Sequence, residues 1–242
     1  MKQERFEVKY HFPLDRLEEL IAFIKPFMVL DRYSDQSGMI GAYKVQSLYL
    51  DSKNLDFYRT HLEGYQSRRK IRIRKYTHMK RSHYFLEIKN KLFFNTNKLR
   101  IKLDNDLLKQ TTKHRDFNCL CELFLEKYSE NKIAEIIHFD ILTLKIIPVV
   151  FITYYRLAYN SAYEHNIRLT IDYNVEASKA SDVLRFKHQR AQKRLLPLYS
   201  GILELKANRT IPRWLQDVIL EFGLTRTAFS KYTESIKNLY DI

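Results

Sequence analysis

YQSRRKIRIRKY, Tyr65–Tyr76, decides the fold. Side chains two apart share one face of a β-strand. Arg68, Lys70, Arg72 and Arg74 therefore line one face, and Arg69, Ile71, Ile73 and Lys75 the other, which is apolar at its centre. Four cations on one face repel one another unless an anion or solvent lies over them. The spacing predicts a strand over Gln66–Tyr76 with one face for a core and one for charge.

The pattern repeats outward from this stretch. Glu87, Lys89 and Lys91 alternate with Leu86 and Ile88; Lys98, Arg100 and Lys102 with Leu99, Ile101 and Leu103. Arg168, Thr170 and Asp172 alternate with Leu169, Ile171 and Tyr173, Glu204 and Lys206 with Leu203 and Leu205, and Glu7 and Lys9 with Phe6 and Val8. Strands are expected at Glu4–Phe12, Tyr43–Leu50, His83–Lys91, Asn97–Leu103, Pro148–Ala158, Asn166–Val175 (after a turn near Glu164) and Gly201–Lys206. Helices are expected from Pro13 to Pro26, from a cap at Asp51 or Ser52 to Gly64, over Pro212–Phe222 and over Ala228–Leu239. Asn105–Asp140 is helical in period, with breaks near Arg115 and Asn131, and residues 31–42 read as a polar loop. Strands flanked and interrupted by helices, with neither repeat nor linker, indicate one α+β domain over 1–242 with an antiparallel sheet.

Two architectures accommodate such strands. An ordinary sandwich or helix-backed sheet would leave the charged faces in water. A sheet closed into a barrel would line its lumen with them and cover its apolar outside with helices. Charged faces on nearly every strand, carrying carboxylates among an excess of cations, favour the barrel.

The composition narrows the partner. Lys and Arg total 42 against 28 Asp and Glu, a formal net charge of +14, which calls for an anion: nucleic acid, an acidic membrane or a phosphate-rich small molecule. Cys119 and Cys121, in an expected helix over Phe117–Tyr128, suit neither a disulfide scaffold nor a zinc site, so a reducing compartment, the cytoplasm, is expected. The opening MKQERFEVKYHF has no apolar signal core, and Ile146–Ile152 is too short to span a bilayer. No Gly-rich phosphate loop of the P-loop or dinucleotide-binding kind is present. The His residues (His61, His78, His83, His114 and His138 among them) are scattered and form no catalytic triad. Arg185–Arg194, RFKHQRAQKR, is a basic run that reads as a solvated segment or as a collector for polyanions.

EVKY, VQSLYLDS, YQSRRKIRIRKY, FLEIKNK, TYYRLAY, RLTIDYN, LELKA and FSKY follow one another in an order that resembles the polyphosphate polymerase domain of the vacuolar transporter chaperone complex, a member of the triphosphate tunnel metalloenzyme superfamily. The resemblance extends from about Arg5 to Tyr232. It implies an antiparallel β-tunnel around a triphosphate or polyphosphate, with manganese or magnesium held by tunnel glutamates. It further implies transfer of the γ-phosphate of ATP to a polyphosphate chain, or, in other branches, hydrolysis of triphosphates or cyclisation of ATP.

Carried over position by position, Arg72, Arg74, Lys89 and Arg156 would be the catalytic phosphate contacts. Lys9, Arg168, Lys206 and Lys231 would bind substrate, joined by Arg68, Lys70, Lys98 and Arg100 from the charged faces. Glu204 would hold the metal, with Glu7 and Glu87 as further candidates for the metal or for salt bridges that order the cations. The superfamily's ExExK pattern departs here to Arg5-x-Glu7-x-Lys9, which speaks against a cyclase or a triphosphatase with several N-terminal metal ligands. The expected partners are ATP or another triphosphate, polyphosphate, no specific nucleic acid, and a membrane protein if the reaction is coupled to transport. The competing reading is a non-catalytic polyphosphate- or RNA-binding module, with Tyr and Phe offering stacking surfaces. Carboxylates among the cations distinguish the two, because a nucleic-acid groove has no use for them.

Overall fold

In the computed structural model, residues 5–34, 41–78, 81–93, 95–107, 117–163, 167–180, 192–208 and 211–242 are described. The expected turn at Glu164, the break at Arg115, His114 and most of the basic run 185–194 fall outside these residues.

The strands are β1 (Arg5–Pro13), β2 (Met28–Leu30), β3 (Tyr43–Asp51), β4 (Ser67–His78), β5 (Arg81–Leu92), β6 (Asn95–Leu103), β7 (Ile147–Ser161), β8 (Arg168–Lys179), β9 (Lys193–Arg194) and β10 (Ser200–Asn208). The helices are α1 (Leu17–Ile24), α2 (Asp56–Leu62), α3 (Phe117–Lys127), α4 (Lys132–Leu144), α5 (Arg213–Glu221) and α6 (Lys231–Tyr240). All strands join one antiparallel sheet in the order β1-β10-β8-β7-β3-β4-β5-β6, with β2 added to β7 and β9 to β8. The fold is α+β, as the alternation indicated.

The apolar faces of the strands turn outward and meet helices. Ile71, Ile73, Leu86 and Ile88 bury against Phe117, Leu120 and Phe124 of α3 and Ile137 of α4. Around the sheet, Leu157, Leu169, Leu203 and Leu205 bury against Leu20 and Ile24 of α1 and Leu215 and Val218 of α5. Arg69, stranded on the outer face of β4, is met there by Asp140 of α4, at 2.6 Å to each carboxylate oxygen.

Two features refine the expected closed barrel. Among the described residues β1 and β6 share no ladder, so hydrogen bonds do not close the sheet. Instead the chain after α5 lies along the free edge of β1: the His11 N–H donates to the Thr225 carbonyl (3.0 Å) and the Thr227 N–H to the Lys9 carbonyl (2.9 Å). The second feature is α6, which does not pack outside. Its Tyr232 and Ile236 bury against Val45, Tyr49, Ile152 and Tyr154 on the inner face, with the Tyr232 and Tyr49 rings stacked at 4.9 Å.

Local chemistry fixes α6 there. Ser230 caps it, accepting from the Thr233 N–H, and Tyr232, Ile236 and Leu239 fall on one stripe. The Tyr232 hydroxyl donates to Asp51. Asp51, wholly buried, also accepts from the N–H groups of Phe57 and Tyr58 in the first turn of α2 at 2.9 and 3.0 Å. The expected cap at Asp51 and Ser52 thus serves two helices at once.

Candidate active site

The inner face carries the charged side chains that the alternation singled out, in two groups. The first is built on β4, β5 and β6, where the ladder sets Arg72 opposite Glu87 and Glu87 opposite Arg100. Glu87 is buried and within ion-pairing distance of four cations: Arg72 (2.7 Å), Lys98 (2.7 Å), Arg100 (3.3 Å) and Arg74 (3.8 Å). Burial opposes its ionisation, but Arg72, Arg74 and Lys98 outweigh it and hold the carboxyl well below the usual range. Arg72 also donates to the Tyr49 hydroxyl at 2.9 Å. Burial pushes that phenol up, but Arg72, Arg74 and Lys70 pull it down to about 7.

The second group is built on β1, β10, β8, β7 and the start of α6. Asp172 takes both arms of Arg156, at 2.6 and 2.7 Å, and the Lys231 ammonium at 2.5 Å. Burial raises its carboxyl, yet Arg156 and Lys231 bring it down to about 2. Lys206 lies between two carboxylates, 2.7 Å from Glu204 and 3.6 Å from Glu7. Glu204 is likewise held low despite burial, by Lys206, Arg156 and Lys9. Lys9 donates to the Phe229 carbonyl and Lys70 to the Ser230 hydroxyl, both at 2.9 Å, so the entry to α6 is tied to both groups. Glu7 and Lys89, 3.9 Å apart, also meet across the lumen.

Of the residues expected from sequence, Arg72, Arg74, Glu87, Lys98 and Arg100 thus stand together, as do Lys9, Arg156, Lys206, Lys231, Glu7 and Glu204. Arg168 is drawn aside by Asp31, at 2.6 Å, and Arg68 lies at the outer end of β4, opposite Lys91. Sequence reasoning passed over Asp172, Asp31 and the inward tyrosines Tyr49 and Tyr154. Tyr154 is buried with its hydroxyl unpartnered. The signal for Asp172 was present in the RLTID alternation, but its task is set by pairing with Arg156 in β7.

Can these residues hold a divalent cation? Among the described residues no group of three His, Cys, Asp or Glu side chains forms a ligand cage. Magnesium-type sites commonly use one or two carboxylates and take the remaining ligands from substrate phosphates and water. Glu204 and Glu7 supply such a pair, bridged by the Lys206 ammonium where a cation would sit. Although Lys206 is close, the Glu204 Oε1 atom is buried without an aligned hydrogen-bond donor, and the Thr170 hydroxyl directly opposite in the ladder is also unpartnered. The pair fits a metal shared with substrate. Glu87 Oε1 already meets Lys98 at 2.7 Å and Arg100 at 3.3 Å, and the four surrounding cations would repel a metal, so its surroundings match the salt-bridge alternative.

The antiparallel sheet thus curls around a cationic, carboxylate-bearing lumen. The chain belongs to the VTC domain family, whose model matches residues 4–240. Solved structures share the fold at low identity. A protein from Pyrococcus horikoshii OT3 is 12% identical with TM-score 0.51, the match covering 96% of this chain and 99% of that one. A protein from Hippeastrum, described as a candidate adenylyl cyclase with a dominant triphosphatase activity, is 14% identical with TM-score 0.56, covering 98% and 97%. A candidate adenylate cyclase from Bacillus halodurans is 10% identical with TM-score 0.50, covering 94% of each chain. No curated protein matches the chain at a significant level.

Proposed function

We propose that the lumen binds the triphosphate of ATP and passes its γ-phosphoryl group to a polyphosphate chain. The observation that carries this reading is Glu204, a buried carboxylate held ionised among the lumen cations, with its Oε1 shared only with the Lys206 ammonium at 2.7 Å. A groove that only held a polyanion would gain nothing from it. A manganese or magnesium ion on Glu204 and Glu7 would neutralise phosphate oxygens and polarise the transferred phosphorus.

The chain's own residues supply the rest. Phosphoryl transfer needs in-line placement and charge neutralisation more than covalent help. Arg72 and Arg74 present planar forks suited to two phosphate oxygens each, and Lys89 and Arg156 hold neighbouring phosphates. Glu87 and Asp172 keep these cations in place before substrate arrives. The acceptor's terminal phosphate oxygen attacks the γ-phosphorus, the bond from it to the β,γ-bridging oxygen breaks, and ADP leaves with that electron pair. The acceptor oxygen is already ionised, so no base is required.

Hydrolysis of a triphosphate is the second reading, supported by the description of the Hippeastrum protein. Water would replace the acceptor and would need a proton receiver, for which Tyr49, its phenol brought down to about 7, is the group this reading names. Incubation with ATP and manganese, followed by a polyphosphate gel and a phosphate assay, separates the two. Glu204→Gln should abolish turnover and keep tripolyphosphate binding. Neither polymer nor phosphate with several metals would leave a binding module, and full activity of Glu204→Gln would remove the metal role.

A further inference from the structure

At one end of the molecule large apolar side chains stand in solvent with cations around them. Leu92 of β5 pairs with Asn95 of β6, so only residues 93 and 94 join these strands. Such two-residue links favour Asn-Gly, because both central residues adopt positive φ. Phe93 takes φ 52°, an outlying conformation for a bulky side chain, and is 55% exposed, so no core contact offsets the strain. Leu92, Leu62 and Tyr65 are each 56% exposed. The Phe93 N–H donates to the Gln66 carbonyl at 2.9 Å, which bonds the hairpin tip to the chain just beyond Tyr65.

The surroundings are basic. Lys91 and Arg68 face each other in the ladder directly behind the tip, and Arg59 is exposed on α2. Among the described residues none of the three has an ion-pair partner, and Glu63 is the acid in this stretch of chain. Strained backbone of this kind clusters at functional sites. Here it presents an aromatic ring to solvent next to the Arg68–Lys91 pair.

We propose that the β5–β6 hairpin tip and the end of α2 form a docking surface for an anionic lipid bilayer. Phe93 and Leu92 would enter the boundary between headgroups and acyl chains, with Tyr65 at headgroup level and Arg59, Arg68 and Lys91 facing lipid phosphates. A second copy of the chain is a poorer occupant, since a two-fold contact would bring like-charged rims together.

The test is co-sedimentation of the full chain with vesicles of phosphatidylcholine alone or mixed with phosphatidylglycerol, in the presence of tripolyphosphate to occupy the lumen. Pelleting is expected only with the mixed vesicles. Phe93→Asn should weaken it about tenfold, by removing the inserted ring, while raising the melting temperature, because Asn accepts positive φ. Lys91→Gln should weaken it about fivefold, the contribution of one cation near an anionic surface. Phe93→Trp, which keeps an aromatic tip, should bind like the parent and shift its emission to the blue on mixed vesicles. No pelleting, unchanged pelleting of Phe93→Asn, or a dimer in ultracentrifugation that Phe93→Asn dissociates would each overturn the proposal.

Discussion

Replacing Glu87 with Gln removes one charge and leaves four cations without their common partner. The site makes the cost calculable in outline. Breaking a buried ion pair by removing one partner costs about 3–5 kcal/mol. Lys98 and Arg100 have side chains 46% and 41% exposed and can turn into water, whereas Arg72 and Arg74, at 23% and 7%, cannot. The lower end of the range applies, about 3 kcal/mol, or a melting temperature lower by about 6–12 °C for a chain of this size.

Thermal unfolding by circular dichroism at pH 7, metal-free, measures it. The Glu87 carboxyl is depressed in the folded state, so its contribution is full above the ordinary value of 4.5 and fades as pH falls below it. The gap between parent and variant should therefore close in acid. Tripolyphosphate supplies the missing negative charge, so it should raise the melting temperature of Glu87→Gln more than that of the parent. A loss under about 2 °C, or equal rescue of both proteins, would refute the assignment of Glu87 as the shared counter-ion of these four cations.

Two further outcomes follow from the same geometry. Asp172→Asn should lower stability by about 3 kcal/mol and reduce kcat while tripolyphosphate binding is kept, since Arg156 and Lys231 retain their charges but lose their common anchor; calorimetric titration beside turnover measurements checks the split. Burial brings Lys70 down to about 8, against the pull of Tyr49 and with the help of Lys9 and Lys89. Deprotonation removes a cation from the lumen, so tripolyphosphate affinity should fall between pH 7 and 9, and Lys70→Met should flatten that slope in the same titration.

The sheet and its charged face were legible because a two-residue period is local: Arg72, Arg74, Lys98 and Arg100 could be assigned to one face without knowing their neighbours. The position of α6 was not. An amphipathic stripe such as Tyr232, Ile236 and Leu239 states that a helix buries a face, not which side of a sheet receives it. Closure was over-read for a similar reason, since strand patterning cannot say whether β1 meets β6 or a piece of irregular chain. The task of Asp172 depends on a ladder that shifts register between Thr153 and Tyr155, which no periodicity displays. Glu87 was ambiguous in sequence because a lone carboxylate among cations reads equally as metal ligand or counter-ion; only with three strands side by side do its four cation neighbours become visible.

The way β1 is held has a consequence for how the protein is made. Its ladder partner is β10, and its other edge is held by residues 225–227, so both neighbours are translated about 200 residues after it. At ~5–20 residues per second the first strand waits roughly 10–40 s on the ribosome with its backbone groups unmatched. Phe6, Glu7, Val8 and Lys9 alternate through that interval, and the charges at every second position keep the waiting strand from pairing with other nascent chains. The acidic and basic residues that serve the lumen in the finished protein would then have guarded the strand during synthesis.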